Sequence, residues 1–120
     1  MVTAFDADAP IPGGLWHWWV QDVAADCDGL PVGAGASDES LPGLASHRAN
    51  GLGLRSYSGV NPPPGTGTHR LFVCVTALDV DHLEVPQDAG PSMLSIVAIG
   101  HTLGRGLAIA TSTASSGESY

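Results

Sequence analysis

The sequence contains no lysine, and its side-chain cations are Arg48, Arg55, Arg70 and Arg105 against twelve acidic residues, for a formal net charge of -8. A field of that sign repels nucleic acid and anionic headgroups at long range, which argues against a general nucleic-acid or membrane-surface binder. Any anion this chain holds must be held by local geometry. Cysteine is scarce as well. Cys27 and Cys74 alone make neither a disulfide framework nor a zinc site. Cys74 lies in an apolar strand-like run and reads as a buried, inert thiol. No apolar run approaches the roughly 20 residues of a membrane-spanning helix, so no stable membrane insertion is expected. Asp6 and Asp8 interrupt any signal-peptide pattern, which leaves the cytoplasm as the expected location. What the chain does have is 120 residues, enough for one domain, and 43% apolar residues with which to build its core.

Val2 to Phe5 reads as a strand ending at the polar corner Asp6-Ala7-Asp8-Ala9-Pro10, and Pro10, Pro12, Gly13 and Gly14 mark a loop. Leu15 to Val23 alternates Trp16, Trp18 and Val20 with His17, Trp19 and Gln21. Both sets carry large apolar groups, so this second strand is expected to be buried on both faces. Residues 26–68 are rich in Gly, Ser, Pro and Asp and read as loops with one or two short strands. Asn61-Pro62-Pro63-Pro64-Gly65 is a rigid, extended turn, because proline donates no N–H and restricts its neighbour. Leu71 to Leu78 is the strongest strand signal, and residues 79–91 form a loop. One helix is expected over Met93–Ala108, although Gly100, Gly104 and Gly106 each weaken it by roughly 1 kcal/mol relative to Ala. Residues 112–120 are a Ser/Thr/Gly tail expected to be disordered. The pattern is mainly β with one late helix.

Several polar residues stand where apolar ones belong. Asp6 and Asp8 end a strand that reads as buried, His17 lies between tryptophans, and His69-Arg70 directly follows the proline-rich turn. Taken singly, each has a structural explanation. Aspartates cap turns, a core histidine satisfies itself with one hydrogen bond, and Arg70 suits an ion pair with Asp8 or Asp6.

Their order adds more. Asp6-Ala7-Asp8-Ala9-Pro10, then Trp16-His17-Trp18, then the run from Tyr57 through Pro62, Pro63 and Gly65 to His69-Arg70, resembles the phosphatidylethanolamine-binding protein family. Leu30-Pro31 and His101-Thr102-Leu103 are similar to its bacterial, Raf kinase inhibitor-like branch. The resemblance spans residues 2–111. It implies one domain over 1–111 with a PEBP-like antiparallel β-sandwich, Greek-key-like, and a C-terminal helix near a pocket for phosphate- or carboxylate-bearing ligands such as phospholipid headgroups. By resemblance Asp6, His17 and His69 form the polar floor of that pocket. Pro62 and Pro63 form its rigid wall, Tyr57 leads into it, and Trp16 is an aromatic neighbour of the histidine. Two imidazoles each offer an N–H donor, and a nearby aspartate fixes a tautomer. The resemblance implies no cofactor, no bound metal and no catalytic residue. It implies a small-ligand-binding protein, not an enzyme, with regulation of a partner protein as a further role.

The chain departs from the family pattern in places. Ala7 replaces a proline, Leu71 an aromatic, Leu15 a bulky aromatic, and Ala110-Thr111-Ser112 a segment that ends in a pocket tyrosine. Family members also carry strands before the one that starts here at Val2. A sheet without them exposes edges, and a homodimer is one way to complete it. Two other function classes stay open on the residues alone. Two histidines and an aspartate suit a 2-His-1-carboxylate metal enzyme, and an Asp–His pair suits a hydrolase, although neither Gly-x-Ser-x-Gly nor His-Glu-x-x-His occurs. A degenerate paralogue without a working pocket is the third reading.

Overall fold

The structure is a computed structural model that describes residues 1–59 and 61–114. Five strands form one antiparallel sheet: β1 (Val2–Asp6), β2 (Leu15–Gln21), β3 (Ser46–His47), β4 (Thr68–Leu78) and β5 (Thr102–Thr113). A helix, α1 (Pro91–Ile99), stands between β4 and β5 in the chain. The strand order is β3-β2-β1-β4-β5. The fold is therefore mainly β and antiparallel with one short late helix, as the sequence implied.

The short β1 is the centre of the sheet, pairing with β2 on one side and β4 on the other. Its alternation sends Val2, Ala4 and Asp6 to one face and Thr3 and Phe5 to the other. On the first face, Val2 and Val20 pack with Ala34, Leu41 and Ala45 from the long segment between β2 and β3. On the second, Trp19 packs with Leu94 of α1 and with Ala89, flanked by Met1, Trp16 and Val85. One sheet thus lies between a loop layer and a helix layer.

The structure corrects the helix. It ends at Ile99, and the residues expected to continue it to Ala108 belong to β5. Gly100 caps the helix and His101 turns the chain. Beyond them the pattern has period two: Arg105, Leu107, Ile109 and Thr111 lie opposite Thr76, Cys74, Phe72 and Arg70, while Gly106, Ala108 and Ala110 alternate with them. The glycines that weaken a helix are tolerated in this edge strand. β5 also extends to Thr113, into the expected tail; residues 115–120 lie outside the described residues. β4 begins three residues earlier than expected, at Thr68, so His69 and Arg70 are strand residues. Cys74 is half-buried, not enclosed, and both cysteines are free thiols.

Past the end of β2, Asp22 has φ 61°, an uncommon conformation for a residue with a Cβ. Its carboxylate accepts hydrogen bonds from the Leu83 N–H at 3.1 Å and from His82 Nδ1 at 2.7 Å. The Asp22 hydrogen bond, then its charge and that of Glu84, raise the His82 pKa. A raised folded-state pKa contributes stability that is complete below the unfolded value of about 6.5 and is lost as pH rises through the folded value. In an NMR titration His82 is expected to keep its proton to higher pH than a free histidine, and Asp22→Asn to remove most of the difference, leaving the contribution of Glu84.

Candidate functional site

Asp6, His17 and His69 come together on the loop-covered face of the sheet, and all three are buried. Asp6 ends β1, where it lies opposite Leu15 on β2 and Leu71 on β4. Its Oδ1 accepts the Asp8 N–H at 2.9 Å, so the carboxylate also shapes the corner that follows. Gly14 closes this turn from the far side. It has φ +72°, and a Cβ there would stand 2.6 Å from the Asp6 carbonyl oxygen.

His69 reaches Asp6 across the β1–β4 pair, with its Nδ1 2.7 Å from Oδ2. Its Nε2 lies 2.9 Å from Thr66 Oγ1, which itself donates to the Pro63 carbonyl at 2.6 Å. A hydroxyl has one hydrogen, so Thr66 accepts from His69 Nε2–H. One proton then lies between His69 Nδ1 and Asp6 Oδ2, whichever of the two holds it. Both ring nitrogens of His69 are engaged, which leaves no lone pair for a metal ion. Among the described residues no group of three or more His, Cys, Asp and Glu is arranged to hold one.

His17 arrives by a different device. The β1–β2 register shifts between Ala4 and Phe5: Ala4 faces Trp18 and Phe5 faces Trp16. His17 is therefore the extra residue of a β-bulge, a feature that re-aims a side chain. Strict alternation would have grouped it with Trp19 and Gln21. Instead its Nε2 lies 3.9 Å from Asp6 Oδ2. Its Nδ1 donates to the Ser58 carbonyl at 2.5 Å, which fixes that nitrogen as the N–H. Asn50 supports this loop: its Nδ2 donates to the His17 and Ser56 carbonyls at 3.2 and 3.1 Å, and its Oδ1 accepts the N–H groups of Leu52 and Leu54. Among the described residues, the buried His17 Nε2 has no hydrogen-bond partner.

The bulge also separates the tryptophans. Trp16 packs on the helix side, 4.6 Å from Phe5 and 5.1 Å from Trp19 between ring centroids, not beside the polar trio. The aromatic on the trio's face is Trp18, which stands edge-on to Tyr57 at 5.9 Å. Trp18 Nε1 donates to His47 Nε2 at 2.8 Å, and His47 Nδ1 lies 3.0 Å from Asp38. This chain locks both the indole and the tautomer of His47. The sequence shows Trp18 only as part of the Trp16-His17-Trp18 motif, with Trp16 as the expected neighbour of the histidine, and does not single out His47; counting residues across the bulge is the missing step. Tyr57 sits 6.4 Å from His17, and its N–H donates to Gly35 O at 2.8 Å. A Cβ on Gly35 would meet Tyr57 Cβ at 2.5 Å, so only glycine fits there.

Pro62 is buried, and Pro63 supplies the carbonyl that holds Thr66. Arg70 pairs with Asp8, not Asp6, donating from Nε at 2.8 Å and Nη2 at 2.9 Å. The hydrogen bond from this guanidinium holds the Asp8 carboxyl down at about 2. The clamp ties the corner after β1 to the start of β4, one residue from His69. Beside the trio, a cavity of about 660 Å³ is lined by Ala4, Trp18, Tyr57, Leu71 and Val73 together with the 30–36 loop. The trio itself does not line it. The cavity adjoins the trio along the strands, since Ala4 precedes Asp6 and Leu71 follows His69 on the same face.

A family model described as phosphatidylethanolamine-binding protein matches residues 1–113. The chain is 35% identical over 103 residues to the UPF0098 protein YbhB of Escherichia coli K12, covering 86% of this chain and 65% of that one. It is 34% identical over 94 residues to YbcL of the same organism, covering 78% and 51%. The chain thus spans between half and two thirds of these relatives. A crystal structure of E. coli YbcL, described as a new member of the mammalian PEBP family, superposes with a TM-score of 0.87 at 26% identity, over 95% of this chain and 70% of that one.

Proposed function

The chain belongs to the phosphatidylethanolamine-binding protein family, and on that basis we propose that it binds a small ligand bearing a phosphate or carboxylate group at His17, beside the Asp6–His69 pair. The observation that carries this reading is the buried, unpartnered His17 Nε2. A buried polar atom without a partner is costly and calls for an explanation, and a ligand supplies one. With Nδ1 committed to Ser58 O, a protonated ring offers its second N–H to an anion. The arrangement works at contact range, inside the roughly 8–10 Å over which salt leaves charge unscreened, so the net charge of -8 does not forbid it. The adjoining apolar cavity suits a ligand whose anionic head is joined to a less polar part, as in a phospholipid headgroup.

We read the chain as a binding protein rather than an enzyme: both ring nitrogens of His69 are engaged, and His17 Nε2 is assigned to the ligand's anionic group. Regulation of a partner protein through the liganded state belongs to this proposal, as does a cytoplasmic location, where free thiols such as Cys27 and Cys74 persist. The homodimer expected from the sequence stays a separate proposal. Calorimetric titration with inorganic phosphate and with phosphorylethanolamine tests the pocket. A hydrogen bond to a charged group contributes about 1.5–3 kcal/mol, so His17→Ala is expected to weaken binding by about tenfold to a hundredfold. Equal affinity in the variant rejects the assignment.

A further inference from the structure

We propose that His47 is a positioning residue for the ligand site: by holding the Trp18 indole it fixes the apolar wall of the adjoining cavity, and so governs whether an aromatic group joined to the anionic head is accepted. This role rests on the anion-binding reading of His17. A line of side chains leads from the surface to that histidine. Asp38, on the 3₁₀ turn Asp38–Ser40, is exposed. Its Oδ1 accepts the His47 backbone N–H at 2.7 Å and lies 3.0 Å from the ring Nδ1. His47 Nε2 accepts the Trp18 indole N–H at 2.8 Å. Trp18 stands edge-on to Tyr57 at 5.9 Å, and Tyr57 lies 6.4 Å from His17. Trp18 and Tyr57 both line the cavity. Gly35 closes the loop over both rings: a Cβ there would stand 3.6 Å from Trp18 Nε1 as well as 2.5 Å from Tyr57 Cβ.

The hydrogen-bond chemistry admits one arrangement. An indole nitrogen donates and never accepts, and an ionised carboxylate accepts and never donates. His47 therefore carries its proton on Nδ1 and keeps Nε2 bare. The ring is buried, so bulk solvent does not make up a lost bond. A second proton changes the balance. It sets two donors face to face across the 2.8 Å contact, while Asp38 favours the imidazolium that forms. His47 is held by its strand pairing with Val20 and by both bonds to Asp38, whereas Trp18 is half-buried, so the indole is the group that gives way. The surrounding charges leave this lever to one proton. Asp38 is the carboxylate from the 3₁₀ turn, with exposed Glu39 next to it in the chain. β2 presents Trp18 and Val20, which carry no charge, and Tyr57 meets His47 through Trp18. Arg48 follows His47, but its guanidinium donates to the Pro86 carbonyl in the segment that leads into α1. Histidine changes charge within about pH 5–8. The wall is thus firm with neutral His47 and loosened with the protonated ring.

NMR of the indole N–H groups between about pH 8 and about pH 5.5 tests the lever, with Trp18→Phe assigning the resonance. The Trp18 signal is expected to move with the same midpoint as the His47 ring, while those of Trp16 and Trp19 do not follow it. In His47→Gln the Trp18 signal is expected to stay fixed, because the amide oxygen accepts the indole bond without titrating. Calorimetry with methylphosphonate and phenylphosphonate, which share an anionic head, reads the consequence for binding. The wild type is expected to prefer phenylphosphonate about tenfold near pH 8 and less than about threefold near pH 5.5, while His47→Gln keeps the preference at both. A change of charge at His17 acts on both phosphonates alike, so their ratio isolates the wall. A Trp18 signal that does not follow His47 overturns the proposal. So does a wild-type preference that is equal at the two pH values, or one that falls as much in His47→Gln. If neither phosphonate binds at either pH, the anion site is rejected and the role of His47 toward a ligand with it, and the NMR titration tells that result apart from a failure of the lever itself. That titration uses the wild type and decides the lever even where His47→Gln fails to fold.

Discussion

Asp6→Ala is expected to lower the free energy of unfolding by about 3–5 kcal/mol, the range for removing one partner of a buried charged pair. The substitution strips three groups at once. His69 Nδ1 loses its 2.7 Å partner, the Asp8 N–H loses its 2.9 Å acceptor, and the His17 ring loses the only carboxylate near its Nε2 among the described residues. The effect should reach the ligand site too, since His69 and His17 then have nothing to hold their relative orientation. Asp6→Asn separates the contributions. It keeps the volume and an oxygen for the Asp8 N–H but removes the charge, so its cost is expected nearer 1.5–3 kcal/mol. Urea unfolding of the two variants reads both values. A cost below about 1 kcal/mol for Asp6→Ala would mean that no proton is shared between Asp6 and His69.

Trp19→Ala is expected to cost a similar amount, about 3–5 kcal/mol, for a different reason. Trp19 is almost fully enclosed between the sheet and α1, against Leu94 and Ala89, and it stacks obliquely on Trp16. Its removal empties the middle of the helix-side layer, and α1 has few other anchors, since only Leu94 and Ala98 are buried along it. One feature moderates the loss. The indole Nε1 is buried without a partner among the described residues, so truncation also removes an unsatisfied donor. Trp19→Phe keeps much of the ring and drops that donor, and it is expected to cost less than about 1.5 kcal/mol. Thermal unfolding of the pair would show it. If phenylalanine proves as damaging as alanine, packing is not what Trp19 contributes.

Much of this architecture was legible from the sequence, and the gaps have physical causes. β1, β2 and β4 announce themselves through apolar alternation and proline-glycine punctuation, and the trio Asp6, His17 and His69 through the order of its flanking motifs. The bulge at His17 was not legible, because an extra residue in a strand leaves no mark on composition; it shows only when β1 is laid against β2. That single residue decides which tryptophan stands by the trio, and it moved the aromatic neighbour from Trp16 to Trp18. The end of α1 was missed because Leu103, Leu107 and Ala108 satisfy a helical spacing and a strand alternation equally well. Gly100 and the pairing with β4 settle the choice, and the second of these is a long-range contact that no local window contains.

The central position of β1 has a consequence for how the chain acquires its shape. β1 and β2 can join as a hairpin across the 7–14 loop as soon as both exist, but the other edge of β1 belongs to β4. Sixty-one residues separate Asp6 from Thr68. At a synthesis rate of about 5–20 residues per second, that edge waits roughly 3–12 seconds for its mate. The Met1 amine, which donates to the Thr76 carbonyl at 3.0 Å, waits longer still. Pairings this distant in sequence fold slowly, so the nascent hairpin, with one side open, is the stage at which this chain most needs shielding from other unfinished chains.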